Sequence, residues 1–284
     1  MEIKTIGVVG CGQMGSGIAE VCARSGYRTV VLEVNQQFLD KGMGALKASL
    51  DKAASRGKLS EQDRDATLGR LRGTLNMEDF RDCDLVIEAV IEDMDEKKRV
   101  FAALDKACPP HAILASNTSC LSILQMAMAT KRPSQVIGMH FFQPVPVMAM
   151  VEIVKTIVCS EDTVNTAETV GRSLGKNVIF AKDTPGFLVN RLGFPMMMNA
   201  IRILDEGWST VEEMDRAWMM GTNAPMGPFR LMDFAGVDTI YAMACAMYDE
   251  FNDRVYAPPP LLKAMVTAGW YGKKSGRGFY NDYQ

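Results

Sequence analysis

The chain holds two histidines, His111 and His140. His140 closes the apolar run Val136-Ile137-Gly138-Met139 and precedes Phe141 and Phe142, so a titratable group stands at the mouth of a buried strand. Glu152 interrupts a second apolar run, from Met148 to Val154. A carboxylate among strand-forming apolar residues is costly unless a partner meets it, and an imidazole is the candidate. A histidine held by a glutamate is a general acid/base for proton transfer near neutral pH. Taken alone, these residues fit a hydrogen-bonded core histidine and an unrelated strand-edge acid equally well. The surrounding chain decides between the two.

A chain of 284 residues makes one large domain or two moderate ones. Its 48% hydrophobic and 23% charged content is that of an ordinary globular protein. The net charge of −3, with no basic block, gives no reason to expect nucleic acid or an anionic membrane surface as partner. The seven cysteines form no C-x-x-C pair and sit mostly in apolar settings, as reduced thiols of a cytoplasmic protein would. No leader is expected before the first strand-like run, and no apolar stretch is long enough to span a bilayer. Two isolated histidines and no thiol cluster imply no metal.

The elements that must position His140 and Glu152 begin with Lys4 to Val9, a short β-branched run. Gly10-Cys11-Gly12-Gln13-Met14-Gly15 follows at once, then a helix from Ser16 to Gly26, a second strand from Arg28 to Leu32, and Glu33. Strand, G-x-G-x-x-G, helix, strand and acid together are a dinucleotide-binding fingerprint. Gly10 makes the tight turn, Gly12 lets the backbone approach a pyrophosphate, and Gly15 lets the helix pack on the strand. Free N–H groups at the helix start bind the phosphates. Glu33 accepts from adenosine ribose hydroxyls and repels a 2′-phosphate, and positions 34 to 37 hold no Arg or Lys to receive one. NAD is favoured over NADP.

Gln36 to Arg56 and a second segment capped by Ser60 read as a helical pair inserted in the alternating pattern. Strands return at Leu75-Asn76 and at Asp84 to Val90. A helix from Asp95 to Cys108 follows, then a strand at Ala112 to Ala115. Ligands bind beyond the C-terminal strand ends in such sheets, which makes Glu88, Glu92 and Lys97 candidates. The polar cluster Ser116-Asn117-Thr118-Ser119 stands at the same edge, with Thr118 or Ser119 as the expected cap of a helix at 121–127. The strands of His140 and Glu152 come next, then a helix from Thr163 to Gly175 and a strand from Asn177 to Phe180. The fold expected is α/β: a Rossmann-like, doubly wound, mostly parallel sheet with a helical insertion, followed by an all-helical C-terminal domain. The boundary is placed after Lys182, giving domains 1–182 and 183–284. Within the second, Val189 to Glu206, Val211 to Met220, Pro228 to Phe251 and Pro260 to Ala268 read as helices. The basic, glycine-rich end at 272–280 is either a flexible tail or a means for Lys274 to reach a phosphate.

These residues carry a resemblance along the whole chain. Gly7 to Gly15, Ser116-Asn117-Thr118-Ser119, His140-Phe141-Phe142 with Pro144, Val151-Glu152, Pro185-Gly186-Phe187-Leu188-Val189-Asn190-Arg191, Gly227-Pro228-Phe229 and Gly278-Phe279-Tyr280 stand in an order and spacing that resembles the short-chain L-3-hydroxyacyl-CoA dehydrogenases, particularly bacterial 3-hydroxybutyryl-CoA dehydrogenases. The resemblance implies His140 as base for the 3-hydroxyl in oxidation and acid in reduction, with Glu152 orienting it. It implies Ser119 and Asn190 as polar contacts to substrate, the latter brought from the helical domain to an interdomain site. Gly10, Gly12, Gln13, Met14, Gly15, Glu33, Glu92, Lys97, Ser119, Gln143 and Lys274 are the implied NAD contacts. Ser49 and Arg56 match positions that contact coenzyme A, and the helical domain matches the family's homodimer surface. Three positions depart from the pattern: Arg56 replaces a lysine, Gln143 an asparagine, and Ala149 a lysine. An NAD-dependent dehydrogenase of a free hydroxy or sugar acid, or a non-catalytic NAD-binding relative, are the alternatives.

Overall fold

The computed structural model describes residues 2–283. Compactness divides the chain into Met1–Thr184 and Pro185–Gln284, two residues beyond the boundary expected at Lys182. The first unit is built on β1 (Thr5–Val9), β2 (Arg28–Leu32), β3 (Leu71–Thr74), β4 (Leu85–Glu88), β5 (Ile113–Ser116), β6 (Val136–Phe141), β7 (Met150–Lys155) and β8 (Asn177–Lys182). They form one sheet in the order β3-β2-β1-β4-β5-β6-β7-β8. Every neighbouring pair is parallel except β6 with β7.

The central strands are apolar up to their C-terminal ends because helices cover both faces of such a sheet. Ile6, Val8, Leu85 and Ile87 are wholly buried with Ile18 of α1 (Gln13–Arg24). The remaining helices of this unit are α2 (Gln36–Ser55), α3 (Glu61–Leu68), α4 (Met94–Ala107), α5 (Ile123–Ala127) and α6 (Glu161–Ser173). Asn35, Ser60, Asp93, Ser122 and Ser160 each accept a backbone N–H at the start of α2 to α6 in turn. Ser122 therefore caps α5 itself, while the Thr118 hydroxyl, as expected, accepts a backbone N–H just ahead of it, that of Leu121 at 3.0 Å. The strand expected at Leu75-Asn76 lies instead at Leu71–Thr74. The Asn76 side chain accepts from Glu78 N and opens a short 3-10 turn, a local bond that competes with a ladder.

The second unit is helical: α7 (Val189–Asp205), α8 (Val211–Thr222), α9 (Pro228–Ala235), α10 (Val237–Phe251) and α11 (Pro260–Thr267). The single helix expected from Pro228 to Phe251 breaks at Gly236, whose φ of 99° no helix accommodates. The end of the chain is not a loose tail. Asp233, wholly buried, accepts from Phe279 N, Tyr280 N and the Tyr283 hydroxyl, and Asp215 accepts from the Tyr280 hydroxyl. Gly278 is required there, since a Cβ would stand 2.0 Å from the Asp233 carboxylate.

Candidate active site

The register of the antiparallel pair β6–β7 sets His140 directly opposite Glu152. Residues opposed in this way point to the same face with side chains in contact. The result is a bond of 2.7 Å between His140 Nδ1 and Glu152 Oε2. Glu152 is wholly buried and His140 is 4% exposed. A carboxylate only accepts, so Nδ1 carries the hydrogen and Nε2 of the neutral ring is the acceptor. The Ser119 hydroxyl lies 3.1 Å from that Nε2. Phe142 packs beside the imidazole, with ring centroids 4.5 Å apart.

Ser119 owes its place to a polar chain along the strand ends. Glu92 Oε1 accepts from Ser119 N at 3.0 Å and from the Thr118 hydroxyl at 2.5 Å. Its second oxygen lies 3.3 Å from Lys97 Nζ. Lys97 in turn donates to Glu88 at 2.6 Å, and Glu88 accepts from the Ser116 hydroxyl at 2.6 Å and from Val90 N at 2.7 Å. Glu88 and Lys97 are buried outright, a pair that each member needs for neutralisation. Lys97 is thus enclosed, with the more exposed Glu92 between it and the strand-end surface. Asn117 completes the brace: its Oδ1 accepts from Phe141 N at 2.9 Å and ties the end of β5 to the residue after His140.

The glycine-rich loop lies at the point where strand order reverses, between β1 and β4. Crevices at such points are where open α/β sheets take ligands. Gly10 has a φ of 90°, and a Cβ on it would meet Ala89 O, beyond β4, at 2.6 Å. A Cβ on Gly15 would stand 1.9 Å from Gly10 O. Gly12 and Gln13 are exposed, Met14 half-buried, and a Cβ on Gly12 would meet nothing. In contrast to α2 to α6, α1 has no side-chain cap, and its first turn carries no acid, so its N–H groups suit an anion. Glu33 closes the loop, accepting from Cys11 N at 2.7 Å and from Val34 N at 2.9 Å. Burial, with Glu33 nearby, pushes the Cys11 thiol up to about 11, which makes it an inert packing group. The loop is also held from behind by Gly42 of α2, where a Cβ would stand 2.1 Å from Cys11 O.

Unit one thus brings together His140, Glu152, Ser119, Glu92 and Lys97, and holds the glycine loop with Glu33 at the same sheet edge. Gln143 is exposed, two residues beyond β6. Ser49 and Arg56 stand seven positions apart, two turns along one face of α2 and its C-terminal cap. Arg56 is exposed. Asn190 and Lys274 belong to the second unit. Asn190 is half-buried in the first turn of α7, and Lys274 pairs with Asp238 of α10. The bracing roles of Asn117 and Gly42 were not read from the sequence; both meet backbone atoms, which leave no mark on residue type.

Known proteins carry the same organisation. A family model described as 3-hydroxyacyl-CoA dehydrogenase, NAD binding domain, matches residues 5–184, and one described as 3-hydroxyacyl-CoA dehydrogenase, C-terminal domain, matches residues 186–282. A 3-hydroxybutyryl-CoA dehydrogenase of Mycobacterium tuberculosis is 48% identical over 280 residues, 98% of each chain. A probable 3-hydroxybutyryl-CoA dehydrogenase of Bacillus subtilis is 43% identical over 284 residues, 100% of this chain and 99% of that one. The crystal structure of (S)-3-hydroxybutyryl-CoA dehydrogenase PaaH1 from Ralstonia eutropha superposes with a TM-score of 0.95 at 40% identity, covering 98% of this chain and 99% of the other. With both units matched end to end, this chain belongs to the 3-hydroxyacyl-CoA dehydrogenase family.

Proposed function

We propose that the protein interconverts (S)-3-hydroxyacyl-CoA and 3-oxoacyl-CoA with NAD(H), and that 3-hydroxybutyryl-CoA and acetoacetyl-CoA are its preferred pair. The observation that carries the chemistry is the imidazole with Nδ1 on a buried carboxylate and Nε2 beside a serine hydroxyl, at the edge that holds the glycine loop. In reduction, the Nε2 proton of His140 would pass to the C3 carbonyl oxygen of the 3-oxoacyl group as C3 takes up the hydride that bound NADH would supply. In oxidation the neutral Nε2 takes the hydroxyl proton as hydride leaves C3. Glu152 keeps the ring in one orientation and stabilises the imidazolium. Ser119 fits a second hydrogen bond to the reacting oxygen, in a place set by Glu92.

NAD fits the residues present. The open N-terminus of α1 suits the pyrophosphate, and Glu33 suits the ribose hydroxyls. When bound, NAD supplies the hydride acceptor, and the protein supplies orientation and the proton. Replacing Glu33 with alanine should raise the KM for NADH by roughly 10- to 100-fold and the KM for NADPH by much less, since a lost charge-assisted bond is worth about 1.5–3 kcal/mol. An unchanged preference would mean that Glu33 does not read the ribose.

Ser49 and Arg56 are the proposed contacts to the nucleotide part of coenzyme A, and Gln143 a contact beside the nicotinamide. Asn190 and Lys274 keep the substrate and cofactor roles that family membership supports. The substrate assignment is tested by NADH-coupled reduction of 3-oxoacyl-CoA thioesters of increasing acyl length beside the free acids. The four-carbon thioester should give the highest kcat/KM and the free acids little; equal turnover of free acetoacetate would favour a hydroxy-acid dehydrogenase. A homodimer through the helical unit is supported by its exposed Leu192, Trp208 and Met220, each more than 70% exposed. A cytoplasmic setting is supported by seven cysteines that are all free. No helix among the described residues is long and apolar enough to cross a membrane.

A further inference from the structure

Lys176 is a buried cation outside the reaction just described. It stands between Gly175, which turns the chain after α6 with a φ of 73°, and the first residue of β8. The residue is 7% exposed, and its ammonium donates to Val145 O at 2.6 Å and to Met148 O at 2.8 Å. Glu20 of α1, 2% exposed, supplies the opposing charge; Arg24, one turn further along α1, is a like charge. Burial holds the Lys176 ammonium below the usual lysine range. A charge in such a setting is costly unless its hydrogen bonds are made, and these two carbonyls are the acceptors that meet it.

Both acceptor carbonyls lie in the segment that joins the strand of His140 to the strand of Glu152. Inside it, Val147 N and Met148 N both donate to Pro144 O at 2.9 Å. On the side facing α1, Val145 is 2% exposed and seated so closely that a Cβ on Gly17 would come within 3.0 Å of it. The segment is therefore held between α1 and the Lys176 ammonium. Exposed Gln143 leads into it, directly after the Phe142 ring that packs on His140.

We propose that Lys176 is a positioning residue for the reaction: its ammonium fixes residues 143–149 and so places Gln143 against the cofactor. The proposal rests on the dehydrogenase reading above, and on Gln143 as the contact beside the nicotinamide. The expected effect is on cofactor use rather than on the proton-transfer dyad, because the His140–Glu152 bond is made within the β6–β7 ladder.

The test compares full-length Lys176→Met, which keeps the volume and loses the donors, with Lys176→Arg, which keeps charge and donors. If that protein does not fold, Lys176→Gln replaces it, losing the charge and, one atom shorter, the reach to both carbonyls. Amide hydrogen exchange at Val147 and Met148 should rise roughly tenfold in Lys176→Met, and the KM for NADH should rise by a similar factor, the scale of one lost charge-assisted bond. The KM for acetoacetyl-CoA should change less than about twofold, and Lys176→Arg should recover most of the NADH affinity. Unchanged exchange in a folded Lys176→Met protein overturns the anchoring. Raised exchange with unchanged NADH affinity, or equal losses in the methionine and arginine variants, overturns the positioning role. A wild-type protein that does not oxidise NADH with acetoacetyl-CoA overturns the functional reading instead; the exchange and NADH-binding measurements still decide on Lys176.

Discussion

Replacing His140 with alanine should lower the NADH-dependent reduction of acetoacetyl-CoA by roughly 10²–10⁴-fold, the range that a positioned acid or base contributes. NADH affinity should change little, because the glycine loop and Glu33 are built on β1, α1 and β2, and His140 on β6. The expected loss is therefore in kcat, with a far smaller change in the KM for either substrate. His140→Gln is the companion variant. Its amide occupies similar space and can bond Glu152, but it cannot gain and release a proton. It should be as inactive as alanine while keeping the packing around Phe142. Residual activity much higher in the glutamine variant would mean that the side chain only fills space and orients ligand.

The second large effect is expected at Glu152. Glu152→Gln keeps the shape of the side chain and removes the charge that faces the imidazolium. The amide can also present its NH₂ group to Nδ1, which would turn the ring to the wrong tautomer. We expect kcat to fall by roughly 10²-fold or more, within the general acid/base range. Thermal stability should move the other way. A wholly buried carboxylate is a costly group to bury, and a neutral amide of the same size removes that cost. The Tm of Glu152→Gln should equal or exceed that of the wild type while turnover collapses. A lowered Tm with retained turnover would make Glu152 a structural ion partner of β7 and would remove it from the mechanism. The two outcomes are separated by one melting curve and one rate.

The sheet and the glycine loop were legible because their signals are local. Apolar runs of four to six residues with glycines between them have few other solutions, and Gly10, Gly12, Gly15 and Glu33 stand within a single βαβ unit. The pairing of His140 with Glu152 was legible as chemistry, since an acid in a strand calls for a partner; the register that opposes them was not, since nothing in the sequence states that β7 runs antiparallel. Other features depend on backbone partners, which any residue can supply. Asn117 bonds an amide, Lys176 bonds two carbonyls, and Gly42 makes room for Cys11 O. The helix break at Gly236 and the anchored chain end at Asp233 were missed for a related reason: a glycine or aspartate inside a helical pattern reads as a weak residue, not as the point where another segment docks. Lys97 was legible as a residue near the strand ends, but its burial between Glu88 and Glu92 shows only once α4 is laid beside β4.

The polar chain from Glu88 through Lys97 and Glu92 to Ser119 gives the site its rigidity. Each member bonds to the next, and the last one meets His140 Nε2. With the Ser119 backbone N–H held by Glu92, the proposed bond from its hydroxyl to the reacting oxygen would need little search for orientation, which is the form that catalytic preorganisation takes.

We propose that this chain passes hydride from NADH to the 3-carbon of a 3-oxoacyl-CoA, with His140 supplying the proton. The loss of NADH absorbance in the presence of acetoacetyl-CoA, measured for the wild type and for His140→Ala side by side, tests it most directly. The wild type should consume NADH in step with formation of (S)-3-hydroxybutyryl-CoA, and the variant should bind NADH yet consume almost none. Equal rates for the two proteins, or no consumption by the wild type, would contradict the claim.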